Sequence, residues 1–245
     1  MDPVAAAGDE SGPVYAADMM CLGDLTYDEV GSNTTLVIPL GSTEQHGPHL
    51  PLDTDTAIAI AVAEAAAERI ATATVAPAIA IGAAGEHAGF AGTLSIGTEV
   101  LTDVIVEIVR TVGPEFERVV VVNAHGGNLD AVRAAAAICD HEGRPIGVWH
   151  ARLADGDAHA GHAETSVMLA IAPDRVRMDR AEPGVSTPLA DIVDELRRGG
   201  VAAVSANGVL GDPTGATAEH GAEILDGWSA EVVALSENMA PWDIP

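Results

Sequence analysis

An α/β fold, with a mostly parallel central sheet and helices on both of its faces, is what this chain predicts, and three observations carry that expectation. Short apolar runs rich in Val, Ile and Thr alternate with longer Ala-rich or amphipathic stretches. Three of the short runs empty directly into clusters of His and carboxylate, the places where an open parallel sheet gathers its functional side chains. The length, 245 residues with 48% of them apolar, suits one domain with a substantial core.

The elements follow in order. Thr34 to Leu40 reads as the first strand, and Thr56 to Ile70, Ala-rich with Glu64 and Glu68 outward, as the first helix. Val75 to Ile81 is the second strand. Glu99 to Val112 is the second helix, with Val100, Leu101, Val104, Ile105, Ile108 and Val109 at helical spacing. Arg118 to Val122 gives a third strand and Leu129 to Asp140 its helix, after which Pro145 to His150 supplies a fourth strand. Further helices run from about Glu164 to Ile171, from Thr187 to Arg198 and from Ala216 to about Glu237. Residues 1–20 are acidic, without the basic start and apolar stretch of a signal peptide, and predict a flexible tail ahead of a single domain over 21–245.

Charge narrows the partners. Eleven cationic residues, all of them Arg, face 37 acidic ones, for a net charge of −26. Such a surface repels nucleic acid and anionic membranes, so neither is an expected partner. It is also the surface of a protein that folds in concentrated salt, where screening over a few ångströms removes the self-repulsion. Cys21 and Cys139 match no CxxC pattern and are too few for a disulfide framework. No apolar stretch reaches the roughly 18 residues of a membrane span. A cytoplasmic protein is expected.

The chemistry concentrates in three places. After the first strand comes Glu44-Gln45-His46-Gly47-Pro48-His49, followed by Asp53 and Asp55. Glu44 and His46, two apart in extended chain, project to one side, and Pro48 and Pro51 stiffen the loop that brings the aspartates back. The third strand ends in Asn123-Ala124-His125-Gly126-Gly127-Asn128, where glycines let backbone approach whatever His125 binds. The third cluster, His159-Ala160-Gly161-His162-Ala163-Glu164-Thr165-Ser166, opens a helix. One His after a strand is more often a loop or core residue, and Asp53 and Thr54 could be plain helix caps. Three converging clusters argue instead for one shared metal centre. The loops Gly82 to Gly92 and Gly208 to Gly215 fit no nucleotide motif and offer no Lys for phosphate.

These motifs, in order from about Leu36 to Gly221 and with Gly211-Asp212-Pro213 and Ala216 to Glu219, resemble the creatininase family of metal-dependent amidohydrolases. The resemblance implies a three-layer α/β/α sandwich, two divalent metal ions per subunit, zinc first with iron or manganese as alternatives, and a homohexamer. It implies Glu44 and His125 on one ion, His46 on the other, Asp55 bridging, and His159 as the catalytic histidine. Creatininase has a Glu two residues after the histidine matched by His125, where this chain has Gly127, so Glu164 is the expected carboxylate in its place, as ligand and in catalysis. His162 stands where relatives have Glu. Candidate substrate contacts are His87, Gly126, Gly127, Asn128, His162 and Asp212. Pro51 to Thr56 and Gly85 to Gly97 are most similar to the mycofactocin-system peptidases of the family, which implies a modified precursor peptide as substrate and release of its carboxy-terminal Val-Tyr. A formamide or cyclic-amide hydrolase is the alternative, with creatinine disfavoured because few aromatics are available to sandwich its ring. A silent metal-binding scaffold and a metal-free binding domain are the remaining options.

Overall fold

The computed structural model describes residues 21–31, 34–152 and 157–242; the expected tail over 1–20 lies outside them. Four parallel strands form one sheet: β1 (Thr34–Leu40), β2 (Ala73–Val75), β3 (Phe116–Asn123) and β4 (Gly147–His150), in the order β2-β1-β3-β4. Alternation along the strands divides the core. Val37, Val120 and Val122 face one cluster with helices α1 (Thr54–Ala67), α4 (His162–Ile171) and α7 (Ala218–Asn238). Leu36, Ile38, Val119 and Val121 face the other, with α2 (Thr98–Thr111) and α3 (Leu129–His141). This is the α/β sandwich expected from the sequence.

Chain order reverses beside β1: β2 lies on one side of it and β3 on the other. The carboxyl ends of β1 and β3 therefore meet at the crevice where open α/β sheets bind their ligands. The second strand, Ala73–Val75, is shorter than the expected Val75 to Ile81 and overlaps it only at Val75. Pro77 has no N–H to give the ladder, so pairing stops at Val75 and resumes only as a single bridge between Ile79 and Leu40. The expected helix at Thr187 to Arg198 is α5 (Leu189–Gly199), and Gly200, with φ of 70°, turns the chain into a short α6 (Val201–Val204).

Candidate metal centre

Helix α1 begins two residues before the expected Thr56, and that first turn positions Asp55. Gly41, just past β1, makes the approach possible, because a Cβ there would collide with the backbone of Thr56. Asp53 does not cap the helix; its carboxylate accepts a hydrogen bond from Arg175 at 2.5 Å. The loop after β1 carries Glu44 and His46, both 0% exposed, against Asp55 at 1% and His125, past β3, at 4%.

Asp55 stands between two histidines. Its Oδ1 lies 3.0 Å from His46 Nε2 and its Oδ2 3.2 Å from His125 Nδ1. Glu44 Oε2 is 3.1 Å from His125 Nε2, and Glu164 Oε2 is 3.8 Å from His46 Nε2. Ligand atoms of Glu44, Asp55 and His125 fall within 4.8 Å of one another, as do those of His46, Asp55 and Glu164, so Asp55 is common to both sets. A third such set joins Glu44, His46 and His159.

These donors fit a cation better than they fit one another. Both oxygens of Glu44, Asp55 Oδ2 and His125 Nε2 are buried without a hydrogen-bond partner. Leaving such groups unsatisfied costs on the order of 1–3 kcal/mol each. Mixed imidazole and carboxylate donors suit zinc, iron and manganese. Electrostatics agree. Burial works against a charged His46, yet Asp55, with Glu164 and Glu44 behind it, raises its pKa to about 10. His125 is raised well above its ordinary value because Glu44 and Asp55 overcome its burial. Burial of Asp55 is likewise outweighed, by the His46 and His125 cations, which hold its carboxyl well below the usual range. Burial pushes Glu164 up to about 7, against the pull of His46. In the metal-free chain, protons on two buried histidines thus supply the positive charge that divalent ions would bring.

His159 is prepared differently. Its Nε2 lies 2.8 Å from the Gln45 carbonyl oxygen and 3.0 Å from the Gln45 side-chain nitrogen, and the shorter contact, to an oxygen that can only accept, favours the hydrogen on Nε2 and a lone pair on Nδ1, which faces Glu44 Oε1 at 3.7 Å. Burial, then the His46 and His87 rings, hold its pKa well below the ordinary value, so it is neutral at rest. The next residue, Ala160, has a left-handed φ of 51°, a strain of about 1–3 kcal/mol that aims its N–H at Glu164 Oε2, 2.7 Å away.

Other expected residues divide. His87 lines the cavity but is 3% exposed; Gln45 Nε2 donates to its Nδ1 at 3.0 Å, and its Nε2 lies 3.1 Å from Glu44 Oε1 without forming a hydrogen bond to it. Asn128 is fully buried; its amide donates to Gly41 O and Asn123 Oδ1 and accepts from Ala83 N, so it ties three loops together and has nothing left for substrate. His162 is a correction as well. Two positions from Glu164 on α4 it points the other way, against Gly215 O and the His220 ring, outside every metal-capable set among the described residues. Gly126, Gly127 and Asp212 line the cavity, Asp212 with its carboxylate closing a turn onto Thr214.

Two residues that lie inside the motifs but were not expected at the site stand beside these groups. Gln45 shares its amide hydrogens between His87 Nδ1 and Gly208 O, while its Oε1 accepts from Gly47 N. Glu86 fills the space over Gly127, where a Cβ would collide with its Oε1, and stands 3.4 Å from His125 Nε2. The absent side chain at 127 was the available clue that a carboxylate from elsewhere would fill that place. From Asp55, His125, His159 and Glu164 opens a cavity of about 1510 Å³.

Comparison with known proteins agrees with this geometry. Residues 24–236 match the family model described as creatininase, creatinine amidohydrolase. The mycofactocin precursor peptide peptidase of Mycolicibacterium smegmatis is 51% identical over 210 residues, covering 83% of this chain and 85% of that one. A manganese form of creatininase superposes with a TM-score of 0.71 at 25% identity, over 88% of this chain and 96% of that one. A zinc–zinc form of a creatininase mutant gives 0.72 at 25% identity, over 89% and 96%. With its sheet, its ordered motifs and nearly its whole described length accounted for in this way, the chain belongs to the creatininase family of amide hydrolases.

Proposed function

We propose that this chain is a two-metal peptidase, one catalytic domain over 21–245, that removes a carboxy-terminal Val-Tyr dipeptide from a modified mycofactocin precursor peptide. The chemistry rests on one observation above the rest: Asp55 is shared by two sets of buried metal-capable atoms. The choice of substrate rests on the 51% identity to a relative named for that peptide. Glu44, Asp55 and His125 would hold one ion, and His46, Asp55 and Glu164 the other, zinc before manganese or iron. A divalent pair supplies an acidified water and a polarised carbonyl. His159 Nδ1, unprotonated at rest, takes the proton that water gives up as its oxygen bonds to the carbonyl carbon. The same nitrogen returns that proton to the leaving amine as the C–N bond breaks. The Gln45 carbonyl oxygen favours the tautomer this requires. A hexameric assembly of the chain accompanies this reading, supported by membership of the creatininase family.

Mass spectrometry of metal-loaded protein incubated with the modified precursor tests the proposal. Val-Tyr should appear, and vanish on chelation and in Glu44→Gln. Formate release from a formamide control, with the peptide intact, would move the substrate to a small amide.

A further inference from the structure

Four arginines border the cavity beside six carboxylates, Asp55, Glu86, Asp130, Asp157, Glu164 and Asp212. Of only eleven arginines in a chain of net charge −26, four line this one cavity: Arg133, Arg152, Arg197 and Arg198. Arg133 lies 3.7 Å from Asp130. Arg152, Arg197 and Arg198 have no carboxylate within 4 Å among the described residues, whereas Arg69, Arg110, Arg118 and Arg175 are paired elsewhere. The lining carboxylates outside the metal-capable sets are occupied. Asp212 accepts from Thr214, Asp157 accepts from the His162 amide, and Glu86 stands against His125. Three of the six arginines without a carboxylate partner among the described residues thus border this cavity, the others being Arg144, Arg177 and Arg180.

The three arginines come from two sides. Arg152 follows β4, its carbonyl fixed by a 3.2 Å bond from Trp228 Nε1, while Arg197 and Arg198 end α5, beside Gly200, which packs on the Glu86 carbonyl. A dipeptide leaving group in extended form puts its terminal carboxylate about 7 Å beyond the scissile carbonyl, inside the one cavity that the metal-capable residues and these arginines line together. Guanidinium groups grip carboxylates in paired, charge-assisted bonds.

We infer that Arg152, Arg197 and Arg198 form an anion-binding subsite for the free terminal carboxylate of the segment released, so that the enzyme trims chain ends and does not cut internally. The inference rests on the peptidase reading above. The test compares the modified precursor with its carboxy-terminal carboxamide on metal-loaded protein. The carboxamide should be cleaved with kcat/KM lower by about 10- to 100-fold, mostly through KM. Arg152→Gln, and Arg197→Gln with Arg198→Gln, should bring the acid down to the carboxamide's level, leaving the carboxamide rate, metal content and melting midpoint unchanged. Equal cleavage of acid and carboxamide by the unaltered protein, or a preference that survives both variants, would overturn the subsite and leave the peptidase standing. Failure to cleave either peptide would overturn both.

Discussion

Helices α1 and α5 both border the cavity, and they are built on opposite principles. Nine residues of α1 are buried, from Thr54 through Ala67, and it packs on β1, β2, β3, α4 and α7. In α5 only Ile192 is buried, Leu189 is half exposed, and the helix rests on α6 and the turn at Gly85–His87. Asp55, which must stay fixed between two histidines, rides on the helix that cannot shift without opening the core. Arg197 and Arg198, which meet a substrate that comes and goes, ride on the one whose local opening costs least. Placement of chemistry and placement of recognition follow the same gradient of burial.

The largest effect that would sharpen this contrast comes from Asp55→Ala. Both ions should be lost, and turnover should drop to the level of the chelated protein, as read by elemental analysis beside product formation. Retention of two ions would remove Asp55 from the centre. His159→Ala comes next. It should keep both ions yet lower kcat by about 10² to 10⁴, and loss of metal would make His159 a ligand.

A third test reads the protons. His46 sits at about 10 in the metal-free fold, above its ordinary 6.5, so its contribution to stability is complete below about pH 6.5 and lost as pH rises through 10. Metal-free protein should therefore melt at falling temperatures between neutral pH and pH 10, while metal-loaded protein changes less. Ion binding near neutral pH should release about two protons per chain, seen as a buffer-dependent calorimetric enthalpy. Binding without proton release would contradict the charged histidines.

On the exposed side the effects are smaller. Ile192→Ala should speed hydrogen exchange in α5 and raise KM for peptide, with metal content and kcat nearly unchanged; an equal loss in kcat would tie α5 to the chemistry itself. The smallest effect per residue is spread over the whole surface. If the acidic composition is an adaptation to salt, the melting midpoint should climb from low to molar KCl, and equal midpoints would set that idea aside.

Much of the molecule was legible in the chain. Three of the four strands and the main helices stand close to their expected places because their periodicities, 2 and 3.6, are local properties of the sequence. Glu44, His46, Asp55, His125 and Glu164 were marked by their residue types at strand and helix ends. The shortened β2 was hidden in one proline whose effect depends on which neighbour needs its N–H. Asn128 and His87 carry residue types suited to substrate contact, and only the structure shows both buried, Asn128 with its amide engaged by three loops.

By itself the sequence determined the fold class, the family and which residues could serve as metal donors, because these rest on residue type, spacing and order along one dimension. Tertiary structure alone decided that Asp55 lies between two histidines, that Glu86 fills the room over Gly127, that Gln45 holds the His159 ring and that arginines from after β4 and from α5 border one cavity. Each of these joins residues dozens of positions apart or depends on direction around a helix axis, and only packing fixes such distances and directions.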